Sequence, residues 1–218
     1  MKPFAHLLTV VAFTFAGTFT ASTALASEAP QATNAAKAAK ADAAKGEASY
    51  NTVCAACHGT GGQSSTPANP KLAGQHAAYT NKQLTEFKSG KRANAIMSGM
   101  VAALSPEDML NISAYLAKQT AKPGFAKDKD LVMLGERIYR GGIPERQIPA
   151  CSGCHSPNGA GIPDQYPRLA GQHADYTSAQ LTAFREGARN NNASMTLVAA
   201  KLNNKEIQAV SDYIAGLR

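Results

Sequence analysis

Cys54-Ala55-Ala56-Cys57-His58 returns 97 positions later as Cys151-Ser152-Gly153-Cys154-His155, and the two stretches hold all four cysteines of the chain. C-x-x-C-H is the attachment pattern of a c-type haem. Two thiols add to the two vinyl groups of one haem, and the histidine directly after them is held against the iron as an axial ligand. One such stretch is a moderate signal; two at matching positions are a strong one. The expected cofactors are therefore two covalently bound c-type haems, on Cys54 and Cys57 and on Cys151 and Cys154, with His58 and His155 on the irons.

Three other uses of paired cysteines compete with this one. Structural zinc sets its pairs about 15–20 residues apart, whereas 93 residues separate Cys57 from Cys151. Short-range disulfides suit an exported chain, and a thioredoxin-like pair needs a βαβ setting that the sequence does not offer. Neither accounts for a histidine directly after both pairs.

The N-terminus supports export. Lys2 is followed by an apolar run from about Leu7 to Gly17 and then by small residues ending Ala24-Leu25-Ala26. This reads as a secretory signal peptide over residues 1–26; the run is short for a membrane span, which needs about 20 residues. An uncleaved anchor is the alternative. Residues 27–42 are rich in Ala and Lys and read as a flexible tether or a frayed helix, not a domain. The remainder of the chain is long enough for two units of roughly 80–90 residues, each small for a core of side chains alone. A porphyrin would supply the missing apolar surface, and the absence of Trp fits such a core.

The net charge is +7, or +6 once residues 1–26 are removed. Residues 43–122 carry 8 Lys/Arg against 4 Asp/Glu, and residues 123–218 carry 11 against 9. Such a balance is either a solvated surface or a means of steering towards an acidic redox partner. Without a basic–aromatic pattern, no nucleic acid is expected as partner.

The repeat extends well beyond the cysteines. Leu72-Ala-Gly-Gln-His-Ala-Ala-Tyr-Thr80 matches Leu169-Ala-Gly-Gln-His-Ala-Asp-Tyr-Thr177 at eight of nine positions, at the same offset of 97. Leu104, Ile112 and Tyr115 match Leu202, Val210 and Tyr213 at an offset of 98, so the second copy gains one residue between Gly187 and Leu202. That shift chooses among Met97, Met100 and Met109 as the second axial ligand. Met97 maps onto Met195, Met100 onto Val198 and Met109 onto Ile207. A single methionine is more often core filling; the matched pair reverses the balance, and Met97 and Met195 are the expected ligands.

The local pattern is helical throughout. Gly46 and Tyr50, and again Gly135 and Tyr139, are four apart and share a helical face. Ser105-Pro106-Glu107-Asp108 starts a helix with a cap, a first-turn proline and acidic residues, and Met109, Ile112 and Leu116 form its apolar face with Tyr115 alongside. Asn203 starts the equivalent helix, with Ile207, Val210 and Ile214. Further helices are expected over Ala77–Lys88 and Ala174–Glu186, and no strands. Ala121-Lys122-Pro123-Gly124 marks the junction between the units. The expected fold class is all-α: two tandem helical units, 43–122 and 123–218, each wrapped around one haem. Between Tyr139 and Cys151 the second copy carries an extra Gly141–Gln147 loop, read either as a partner surface or as a tolerated insertion.

Each half resembles a class I cytochrome c domain, and the tandem is similar to the diheme cytochrome c4 family from about Ala43 to the C-terminus. The resemblance implies that Pro70 and Pro167, twelve residues after each haem histidine, offer backbone carbonyls to the histidine rings. It also implies that Leu72 and Leu169 pack on the haems. It implies an electron carrier, not an enzyme, in the periplasm or peripherally associated with the outer face of the inner membrane. Its expected partners are a quinol-oxidising cytochrome bc complex and a haem–copper terminal oxidase. The rivals are a diheme electron-accepting subunit of a dehydrogenase and a diheme peroxidase. The latter needs an open iron, and both copies keep their methionine. His76, His173, Tyr79 and Tyr176 are read as structural or as contacts to haem propionates.

Overall fold

The computed structural model describes residues 40–218; the expected leader over 1–26 and nearly all of the Ala/Lys-rich segment lie outside the described residues. The first repeat consists of α1 (Ala43–Val53), α2 (Ala55–His58), α3 (Ala77–Lys88), α4 (Ala95–Val101) and α5 (Pro106–Ala117). The second consists of α6 (Lys129–Gly141), α7 (Ser152–His155), α8 (Ala174–Arg185), α9 (Ala193–Ala199) and α10 (Asn204–Gly216). Among the described residues there is no strand, only two isolated bridges, Ile143 with Ile148 and Ile162 with Tyr166. No described helix is long and apolar enough to cross a membrane.

Side chains start the helices where their types suggest. Asp42 accepts from the amides of Ala44 and Lys45 to open α1, and its own amide donates to Asn111 Oδ1 on α5 at 2.7 Å. Ser105 with Asp108, and Asn203 with Glu206, form reciprocal capping boxes on α5 and α10.

In each repeat the first helix crosses the last at a glycine. A Cβ on Gly46 would stand 1.9 Å from the carbonyl oxygen of Asn111, and one on Gly135 would stand 2.1 Å from that of Ala209. The close approach buries Tyr50 and Tyr139 completely. Their rings lie 5.4 Å from Tyr115 and 5.5 Å from Tyr213, tilted in both cases. Met109, Ile112 and Leu116 of α5 and Ile207, Val210 and Ile214 of α10 are buried, as their spacing predicts. Each such side chain contributes about 1.5–3 kcal/mol by leaving water.

The extra loop of the second repeat is more than a surface insertion. Gly142 turns the chain at φ +69°, and Ile143 and Ile148 exchange two backbone hydrogen bonds. Ile148 enters a core cluster with Leu202 and Ile207. Arg146 closes the loop over the start of α10 by pairing with Glu206.

Candidate haem-binding sites

A single helical turn presents each C-x-x-C-H stretch. The amides of Cys57 and His58 donate to the carbonyl of Cys54, and those of Cys154 and His155 to the carbonyl of Cys151. Cysteines three apart on such a turn share a face. All four thiols are free. Burial, with a smaller contribution from the neighbouring cysteine, pushes Cys54 and Cys151 up to about 11, so both are neutral thiols at pH 7. Beyond each turn comes a residue at positive φ, Gly59 (+73°) or Ser156 (+67°). Its carbonyl accepts from the tyrosine of the first helix, Tyr50 at 2.7 Å and Tyr139 at 2.6 Å. The tyrosines thus tie the attachment turn to the helix crossing, a role that their helical spacing alone does not reveal.

His58 and His155 are buried. Nδ1 of His58 lies 2.9 Å from the carbonyl oxygen of Pro70, and Nδ1 of His155 lies 3.0 Å from that of Pro167. A carbonyl only accepts, so Nδ1 carries the proton and Nε2 keeps its lone pair for a metal. Burial lowers both imidazoles below their usual range, although the carbonyl bond pulls the other way. The neutral form is the one that ligates.

The methionines are placed by caps. Asn94 opens α4 by accepting from the Met97 amide at 2.8 Å, and Asn192 opens α9 by accepting from the Met195 amide at 2.9 Å. Met97 and Met195 are half-buried, and Met97 packs against the first core. Met109 lies inside that core at 3 % exposure, while Met100 is 42 % exposed. Reading the sequence for ligands passes over these asparagines; an Asn three residues before each methionine is their signal.

These residues fit a haem. Each attachment turn offers two unpaired thiols on one face and an imidazole nitrogen with a free lone pair, and each repeat carries one Asn-capped methionine thioether. Arg168 Nε is buried without a hydrogen-bond partner, and a guanidinium donor left over in this way suits one of the two carboxylates that a haem carries. Among the described residues no three His, Cys, Asp or Glu side chains converge to hold a metal ion.

The repeated Leu-Ala-Gly-Gln-His segments face each other across the two repeats. Gln172 bonds both to the amide and to the carbonyl of Lys71, and Gln75 does the same to Arg168. His76 Nε2 lies 2.9 Å from the Ala160 carbonyl, and His173 Nε2 lies 2.9 Å from that of Ser64. Tyr79 accepts from Arg189 and Tyr176 from Arg92. The two histidines and two tyrosines are therefore interface residues, each engaged with the opposite repeat.

A family model described as Cytochrome c matches residues 43–120 and again 132–218. The chain is 49 % identical over 180 residues to cytochrome c4 of Pseudomonas aeruginosa, covering 81 % of this chain and 89 % of that one. It is 42 % identical over 171 residues to a thiosulfate dehydrogenase electron acceptor of Stutzerimonas stutzeri, covering 76 % and 79 %. The crystal structure of reduced recombinant cytochrome c4 from Pseudomonas stutzeri superposes with a TM-score of 0.78 at 45 % identity, over 82 % of this chain and all of that one.

Proposed function

The chain belongs to the cytochrome c4 family of diheme cytochromes c, and from that premise we propose that it shuttles electrons in the periplasm between a quinol-oxidising cytochrome bc complex and a haem–copper terminal oxidase. It is an electron carrier with two covalently bound haems. Cys54 and Cys57 would hold one through thioethers, and Cys151 and Cys154 the other, each thiol adding its S–H across a vinyl double bond. His58 with Met97 and His155 with Met195 would hold the two irons. The domains run over 43–122 and 123–218 behind a cleaved leader and a tether that allows peripheral contact with the membrane.

Bound at these residues, each haem supplies a one-electron couple. The protein sets its terms. A methionine opposite a histidine raises the potential, and the prolyl carbonyls fix the plane of each imidazole. With a histidine and a methionine side chain holding each iron, no coordination site would be left for a substrate, which argues for carriage over peroxidase chemistry. One observation carries the reading: the carbonyl-held histidine and the Asn-capped methionine occur in both repeats with the same geometry.

The 42 % identity to a thiosulfate dehydrogenase electron acceptor favours a second reading, in which a dehydrogenase is the electron donor. Stopped-flow reduction of the matured protein distinguishes them. Rapid reduction by a quinol-driven bc complex, followed by oxidation through a terminal oxidase, supports the first. Reduction only by a thiosulfate-oxidising dehydrogenase replaces it with the second.

A further inference from the structure

The interface between the repeats is two-fold in most of its contacts and departs from that symmetry most fully at the corner of Asn191. Gln83 and Gln180 each accept from both arginines: Arg92 reaches Gln83 at 2.8 Å and Gln180 at 2.7 Å, and Arg189 reaches Gln180 at 2.8 Å and Gln83 at 3.2 Å. Each arginine also lies 4.4 Å above the centre of a phenylalanine ring, Phe87 or Phe184. The extra residue of the second repeat falls beside this pattern. Arg92 and Arg189 are equivalent, since their amides donate to Glu86 and Ala183, residues 97 apart, and the capping asparagines 94 and 192 are equivalent too. Between them stands Ala93 alone in the first repeat, but Asn190 and Asn191 in the second. Asn190 is exposed; Asn191 is 5 % exposed.

Asn191 is fully used. Its amide donates to Glu86 Oε2 at 2.6 Å and to Gln83 Oε1 at 3.1 Å. Its side-chain oxygen accepts from Arg189 Nε at 3.0 Å, and its carbonyl from Lys82 Nζ at 3.3 Å. Glu86 is itself buried and salt-bridged to Lys82 at 2.7 Å and Lys91 at 3.3 Å. The mirrored corner has none of this, because Ala183 stands at the position equivalent to Glu86 and Ala179 at that of Lys82. A buried carboxylate is costly unless it is fully paired, and here its pairing is completed from the other repeat. We propose that Asn191 and Glu86 form a one-sided clamp that fixes the orientation of the two repeats, and through it the relative placement of the two haems. Asn191 is then a positioning residue for electron transfer between haems; that consequence rests on the two-haem carrier reading above.

The test uses the matured diheme protein. Asn191→Asp turns a donor into a second carboxylate facing Glu86. The clamp predicts a broadened distance distribution between the two oxidised haems, measured by pulsed electron paramagnetic resonance in frozen solution. It also predicts interhaem electron transfer about tenfold slower, as expected when reacting groups lose their fixed placement. Asn191→Ala, which removes the contacts without adding charge, gives the same effects to a smaller extent. The double variant Glu86→Gln/Asn191→Asp reverses donor and acceptor in the bond between positions 86 and 191 and restores part of the parental distribution and rate, which a merely structural lesion would not. A parental distribution in Asn191→Asp, or no recovery in the double variant, overturns the proposal. If the parent shows no interhaem transfer, the relay reading fails while the distance distributions still decide the clamp.

Discussion

Nδ1 of both buried histidines is committed to a prolyl carbonyl, and this single bond decides tautomer, ring plane and which nitrogen faces the metal. The methionine proposed as the second ligand is set just as locally, by a capping asparagine on its own amide. Replacing Met97 or Met195 with histidine is therefore expected to lower the potential of one haem and leave the other near its parental value; a redox titration checks this, and two unchanged potentials would remove the ligand assignment. Tyr50 and Tyr139 supply a second residue-scale prediction. Each is fully buried with its hydroxyl donated to the carbonyl that ends the attachment turn. Tyr50→Phe or Tyr139→Phe leaves that carbonyl short of a partner and costs about 1–3 kcal/mol, read as a lower thermal midpoint with haem content unchanged. The two cysteine attachment stretches were legible because their chemistry demands a fixed spacing. The tyrosines were legible only as helix-face residues, since their acceptors lie 9 and 17 positions away.

Among the elements, the crossings of α1 with α5 and of α6 with α10 set the frame on which each site hangs. They depend on backbone approaching backbone at Gly46 and Gly135. Gly46→Ala or Gly135→Ala brings a methyl to 1.9 or 2.1 Å from a carbonyl oxygen that cannot swing aside. Each is expected to destabilise by about 3 kcal/mol, measured by chemical denaturation of the holoprotein, and a cost below about 1 kcal/mol would mean that the crossings are looser than described. The glycine–tyrosine spacing announced these helices, and the apolar faces of α5 and α10 followed from period alone. The loop before Cys151 was harder to read. Its weight lies in Ile148, whose burial depends on a chain reversal at Gly142, where a Cβ would stand 2.2 Å from the Ile148 carbonyl oxygen. That is a tertiary fact with no periodic signature.

Across the whole molecule, the matching Leu-Ala-Gly-Gln-His segments were legible as a repeat but not as an interface. A motif read within one repeat suggests contact with its own haem, whereas His76, Tyr79 and their counterparts bond to the opposite repeat. Contacts between residues 84 to 110 positions apart leave no local trace in sequence. The interface also carries a pH prediction. Burial acts to raise the Glu86 carboxyl, but the hydrogen bonds from Lys82 and Asn191 and the charge of Lys82 outweigh it and hold it below its usual range. A carboxyl lowered in the folded state adds stability that is fully present above its unfolded titration and is lost as pH falls through the lowered value. The parent is therefore expected to lose its stability advantage over Glu86→Gln only on acidification through and below the ordinary carboxylate range, visible as converging thermal midpoints. An advantage independent of pH would exclude an ionised Glu86 as its source.

The central claim, two saturated irons in one carrier, is tested most directly by the optical spectrum of the matured, reduced protein with and without carbon monoxide. Two haems per chain and a spectrum unchanged by the gas are the predicted result. A shift in half of the haem signal would expose an open iron and contradict it.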